Sequence, residues 1–273
     1  TIGEIHRTMD LTRLKAVVRR IQETGNIHEH LDLIAGLPYE GYMTFAKSFD
    51  EIYALKPNQL QLGFLKVLKG SYMYEHSVEY GLIYQSRPPY EVLRTNWLDF
   101  PELLAIRRAE EMLEVYYNSG QYEVTVKLLE TQFFSAFAMF ESMGAFYEKQ
   151  GYFGMSHSRV RRAEILLEFA EESAPAAVPM LKESLVFDLY YRENLGKRPA
   201  WAGELSEWKE LTRKYCKNGK QSHVERFFYR FPGKETRTVT KLPEREEKAC
   251  YVLFDYTARD PLDHQAAYRY LDE

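Results

Sequence analysis

A few side chains in this sequence have types and spacings that could do chemistry. His28 and His30 stand two apart ahead of an apolar run, so on an extended backbone their imidazoles share a face. Two imidazoles begin a metal site, but no third ligand follows at a metal-binding spacing, and no metal residue is assigned. Cys216 lies in RKYCKNGK, where neighbouring cations would favour the reactive thiolate; an inert, exposed cysteine is the plainer reading. Cys250 opens the apolar run CYVLF and reads as core. Arg159, Arg161 and Arg162 beside His157 could meet a phosphate or carboxylate, or could simply face water. No Ser-His-Asp arrangement, P-loop, GxGxxG or zinc signature is present, and no catalytic residue is assigned.

The stretch from His30 to Ser71 organises the elements around these groups. Leu31 to Ala35 is a short, mostly apolar run that leaves abruptly through Gly36-Leu37-Pro38, as a strand buried on both faces leaves a parallel sheet. Thr44 is expected to cap a helix with Phe45, Phe49, Ile52 and Leu55 on one face, ended by Pro57. Leu60, Leu62 and Phe64 alternate with Gln59, Gln61 and Gly63 as a second strand. Strand, helix and strand over this length form a βαβ unit, whose ligands lie at the carboxyl ends of the strands.

The motif Asp32-Leu33-Ile34-Ala35-Gly36-Leu37-Pro38-Tyr39-Glu40 resembles the fifth-strand motif of the radical S-adenosylmethionine (SAM) enzymes, which passes beside the adenosyl group. Leu55-Lys56-Pro57 and the second strand, running into Lys69-Gly70-Ser71, resemble that family's closing segment. Tyr39 stands where glycine is usual, and Lys69 where proline is usual. The resemblance implies that Ile34, Gly36, Leu37, Pro38 and Glu40 shape or contact an adenosyl site, with Phe64 and Leu65 as its sixth-strand wall. The family's three-cysteine loop, which holds a [4Fe-4S] cluster, is absent: the chain has 2 cysteines, Cys216 and Cys250, far apart.

The rest of the chain changes character twice. Asp10 is expected to cap a first helix with Leu11, Leu14, Val17, Val18 and Ile21 on one face, stopped at Thr24-Gly25-Asn26. Ser71 to Asp99 reads as a wrapped connection with a short amphipathic piece from Met73 to Tyr80. Asp99 and Glu102 form a capping box for a helix carrying Leu103, Ile106, Leu113 and Tyr116. Further helices are expected over 122–140 or beyond, 158–172 and 176–193, followed by antiparallel strands over 224–231 and 249–256. Thr236 to Leu242 is expected to add a third strand. The fold class is α+β and mostly helical, divided as 1–75, which the resemblance implies is the end of a radical SAM partial barrel, and 76–273, a helical accessory domain ending in a small sheet.

The 273 residues, 45% hydrophobic and 28% charged with net charge -4, can bury one or two cores without disulfides. The 21 Tyr and 16 Phe read most plainly as large amphipathic residues of core and surface. The acidic balance argues against nucleic-acid partners, and the lack of a long apolar run argues against the membrane; a cytoplasmic location is expected. The segment YEVLRTNWLDFPELLAIRRAEEMLEVYYNSGQY and the helices after it resemble the helical region that follows the barrel in bacterial cobalamin-binding radical SAM proteins. Such proteins are often named for similarity to the anaerobic magnesium-protoporphyrin IX monomethyl ester cyclase.

By resemblance, the parent is an iron-sulfur oxidoreductase. It would use SAM and a [4Fe-4S] cluster to form a 5′-deoxyadenosyl radical, or would work with cobalamin in a methyl transfer or rearrangement of a small-molecule substrate. This chain would bind no cofactor by itself and would be inactive alone. Its partners are the preceding part of the same polypeptide, expected ahead of Thr1, and the substrate, with a homodimer through an unpaired strand edge as another arrangement. The alternative is a non-catalytic helical protein-interaction module.

Overall fold

The computed structural model describes residues 10–216, 219–233 and 236–271. In chain order the elements are α1 (Leu11–Thr24), β1 (His30–Ala35), α2 (Tyr42–Tyr53), β2 (Gln59–Phe64), α3 (Tyr72–Glu75), β3 (Ile83–Tyr84) and β4 (Val92–Arg94). There follow α4 (Phe100–Met112), which runs into a π-helical turn at Leu113–Asn118, then α5 (Glu123–Glu130), α6 (Ala136–Gln150), α7 (Arg159–Ser173) and α8 (Val178–Arg192). The chain closes with α9 (Trp208–Tyr215), β5 (Ser222–Phe227), β6 (Cys250–Arg259) and β7 (Ala266–Leu271). The class is α+β, mostly helical, with a three-stranded antiparallel sheet near the carboxyl terminus. Among the described residues, no helix is long and apolar enough to cross a membrane.

The chain divides into two compact units, residues 1–118 with 135–151 and residues 119–134 with 152–273. In the first, β1 and β2 pair in parallel, with His30 opposite Gln59 and Ala35 opposite Phe64, joined by α2. Phe45, Phe49 and Tyr53 of α2 bury against α6, where the Phe49 ring lies 5.5 Å from Phe137 and 6.0 Å from Phe140. Each such ring contributes about 1.5–3 kcal/mol by leaving water. Gly144 lets α6 approach α4, since a Cβ there would stand 2.8 Å from Arg108 Cβ. Beyond this crossing, the Tyr116 and Tyr147 hydroxyls hydrogen-bond at 2.5 Å.

In the second unit, α8 lies on the sheet β5-β6-β7. Phe187 is central to it, with ring centroids 5.7 Å from Phe227, 5.3 Å from Phe254 and 5.1 Å from Tyr268. Asp188, one residue on, turns to the other side and caps α5, accepting from the Val124 and Thr125 amides at 3.0 and 2.8 Å and from Thr125 Oγ1 at 2.7 Å. Burial pushes its carboxyl up to about 7, against these three hydrogen bonds, which favour the charge.

Several helix ends follow the sequence. Asp10 caps α1 and Gly25 ends it in the left-handed conformation; Asp99 and Glu102 make the capping box, and Ser158 caps α7. Other expectations are corrected. Thr44 is not the cap of α2: the helix starts earlier, at Gly41, and Thr44 Oγ1 donates to the Gly41 carbonyl from within the first turn. The helix expected over 122–140 is two, because the Gln132 and Phe133 amides close tight turns on Leu129 and Glu130 and Ser135 starts a new helix by accepting from Ala138.

The connection 71–99 contains α3 and the short β3-β4 pair. No strand forms over 236–242; the third strand is β7, whose Tyr268 stands opposite Phe254. In α1, Val18 is buried while Leu11 and Val17 are exposed, so its apolar stripe is only partly covered.

Candidate functional site

The pairing of β1 with β2 gives the sheet two unlike faces. On one, Leu31, Leu33 and Ala35 stand beside Leu60, Leu62 and Phe64, and the three β2 side chains are buried. On the other, His30, Asp32 and Ile34 stand beside Gln59, Gln61 and Gly63, and His30, Asp32, Gln61 and Gly63 are exposed. The expectation that β1 is buried on both faces is therefore corrected: only its Ala35 end is enclosed. The alternation of Gln59 and Gln61 with Leu60 and Leu62 carries the signal of this polar face on β2, whereas the apolar run of β1 hides it.

The edges of the sheet also differ. The side-chain amide of Asn118 donates to the Leu60 carbonyl and its oxygen accepts from the Leu60 amide, both at 2.9 Å, so the start of β2 is covered. Among the described residues, β2 is the one strand that pairs with β1.

At the carboxyl ends, the turn Gly36 to Gly41 is seated on the segment 92–97. Gly36 has φ +88°, and a Cβ there would stand 2.7 Å from Val92 Cγ1. The Leu65 amide donates to the Ala35 carbonyl at 2.9 Å, and the Val92 amide to the Leu65 carbonyl at 2.9 Å. Tyr39 has φ +62°, a costly conformation for a side-chain-bearing residue, and its half-exposed ring lies 4.5 Å from that of Trp97.

Glu40 is buried, accepts from Ser48 Oγ at 3.2 Å, and has its carboxyl pushed up by burial against that hydrogen bond. Of the residues that the family resemblance implies for an adenosyl site, Ile34 and Leu37 are half-buried, whereas Gly36, Pro38, Glu40, Phe64 and Leu65 are buried. The turn and Leu65 come together, since Leu65 Cβ is 3.7 Å from the Gly36 Cβ position.

The stretch 78–254, which supplies Val92, Trp97 and the helices after them, matches the family described as "Protein of unknown function (DUF4080)". This chain belongs to that family. No curated protein matches it. The DUF4080 stretch starts beyond β2, so the βαβ unit lies outside the match while the segment seated against its exit turn lies inside it.

The remaining candidates are used within the chain. His28 Nδ1 and His30 Nε2 lie 3.0 Å apart in a hydrogen bond, and among the described residues no three His, Cys, Asp or Glu side chains gather to hold a metal. Arg159 donates to the Leu189 carbonyl and pairs with Glu193, and Arg161 pairs with Glu164 and Glu168.

Cys216 is half-buried and burial pushes its thiol up, the reverse of the shift that its lysine neighbours suggest; Lys217 and Asn218 lie outside the described residues. A buried charge group that the sequence did not signal is Glu225, held by Arg198 Nε at 3.0 Å and facing His223 Nε2 at 3.5 Å, with His223 stacked 3.7 Å from Tyr190. Burial pushes the Glu225 carboxyl up, but His223 and Arg198 outweigh it and hold it below the usual range.

Proposed function

We propose that this chain is the carboxyl-terminal portion of a radical SAM iron-sulfur oxidoreductase of the cobalamin-binding type, in which the βαβ unit closes the barrel around the adenosyl and substrate site. The observation that carries the reading is the two-faced sheet. In a barrel of parallel strands ringed by helices, the apolar outer face packs on helices, the inner face turns to the barrel axis and ligands lie at the carboxyl ends of the strands. Here the buried face carries Leu60, Leu62 and Phe64, and the open face presents His30, Asp32, Gln59 and Gln61. The edge of β1 opposite β2 is where a preceding barrel strand would pair.

In this reading residues 1–75 are the end of the barrel and 76–273 an accessory domain that shapes access to it. Ile34 and Leu37, half-open, touch the nucleoside; Gly36, Pro38, Glu40, Phe64 and Leu65 hold the turn in shape from beneath. The polar face lines the barrel interior beneath that site, with His30 and Gln59 at the amino ends of the strands. The donor set here does not suit the cluster: Cys250 is buried and Cys216 half-buried in the second unit, so the thiolates would come from another part of the polypeptide. The bound cluster would supply the electron that cleaves SAM. Partners are that other part and a small-molecule substrate, in the cytoplasm.

The test uses the whole natural polypeptide that contains this chain, purified without oxygen and reduced. It should carry a C-x-x-x-C-x-x-C loop ahead of Thr1 and convert SAM to 5′-deoxyadenosine and methionine. Leu37→Asp should raise the KM for SAM about tenfold or more, because a carboxylate replaces an apolar contact. A natural polypeptide without such a loop, or one that is cluster-loaded and leaves SAM intact, would overturn the reading in favour of a non-catalytic interaction module.

A further inference from the structure

We infer that the groove between β4 and the start of α4 binds a small amphipathic carboxylate. Its volume is about 440 Å³, within the range of small-molecule sites. Val92, Phe100, Leu103 and Leu104 give it apolar walls, and Glu91 and Arg107 supply an ion pair among them. Phe100 is 52% exposed, an apolar ring that an organic ligand would cover. Arg107 is fixed before any ligand arrives: its guanidinium stacks 4.2 Å from the Phe64 ring centroid and pairs with Glu91.

The two charges are unequally presented. The Arg107 side chain is 45% exposed and that of Glu91 13%, so a ligand entering the groove meets the guanidinium more than the carboxylate. A guanidinium has five donors in a planar fork, and a ligand carboxylate is the group that matches those left by Glu91. An ion pair that merely ties the 91–92 segment to α4 would need neither the exposed ring nor the cavity. The position also suits a ligand, because Val92 presses on Gly36 and the groove therefore lies beside the carboxyl ends of β1 and β2. The inference does not depend on the radical SAM reading.

Calorimetric titration of this chain with decanoate tests it, with 1-decanol and decyltrimethylammonium as headgroup controls. Decanoate should bind saturably at one site and the ammonium should not. Arg107→Gln should weaken decanoate by about tenfold or more while sparing decanol, as expected for a charge-assisted contact. Arg107→Lys, which keeps the charge and loses the fork, should fall between. Leu104→Trp, filling the groove, should remove both ligands with the circular dichroism of the folded chain retained. Absence of saturable decanoate binding, equal binding of the ammonium, or decanoate affinity unchanged in Arg107→Gln would overturn the proposal.

Discussion

Val92 Cγ1 occupies the space that a side chain on Gly36 would need, at 2.7 Å from its Cβ position. The glycine that ends β1 is thus required by the chain's own packing, and its φ of +88° adds a second reason. Both would hold whether or not a ligand sits beside the turn.

Gly36→Ala should therefore destabilise the first unit by about 2–4 kcal/mol, combining a left-handed backbone with an overpacked contact. Gly36→Ala with Val92→Ala should be less destabilised than the sum of the single changes, because the steric part is shared. Urea unfolding of the four proteins measures this; strict additivity would show that Val92 is not the obstacle.

Asp188 supplies a pH signature. Its folded carboxyl is raised from 3.8 to about 7, so between those values the folded chain keeps a proton that the unfolded chain releases. The contribution to stability is complete below about pH 4 and declines as pH rises through 7. Asp188→Asn should flatten this slope, and Asp188→Ala, which leaves the α5 amides buried without acceptors, should cost about 2–4 kcal/mol. Unfolding free energies at pH 4 to 8 decide it; parallel curves for wild type and Asp188→Asn would contradict the assignment.

Glu225 has the opposite sign. Its carboxyl is held below the usual range, so its contribution is present above the ordinary carboxylate pKa and is lost as pH falls through the folded value. Arg198→Ala leaves this buried charge without its guanidinium partner and should cost about 3–5 kcal/mol, whereas Arg198→Met with Glu225→Leu should recover most of the loss. A double-mutant cycle by thermal unfolding gives the coupling, and a value near zero would show that the pair does not stabilise the sheet.

Neither cysteine should react quickly in the folded chain. Burial raises the thiol of Cys216 and pushes that of Cys250 up to about 11. Labelling with a chromogenic disulfide at neutral pH should be slow for the folded protein and fast in denaturant, with the folded rate climbing as pH rises. Rapid stoichiometric labelling of Cys216 at neutral pH would mean that its thiol is more accessible and more acidic than its surroundings imply.

The sequence by itself determined the local elements. Asp10, Asp99, Glu102 and Ser158 cap helices within a turn of themselves, and the alternation in β2 sets its two faces, because these bonds join residues close in the chain. It also held the carrier of the βαβ reading, the strand at 30–35 with its glycine exit. Only the tertiary structure decided the partners. Asp188 caps a helix 64 residues earlier; β7 rather than 236–242 completes the sheet; Cys216 has a raised thiol despite its lysines; and β1 keeps one open face where its apolar run suggested two buried ones. The break at 131–135 belongs with these, since an apolar run that suits one long helix gives no local signal of where it must turn. Burial and pairing depend on what arrives from distant parts of the chain, and a pattern read along the backbone cannot name it.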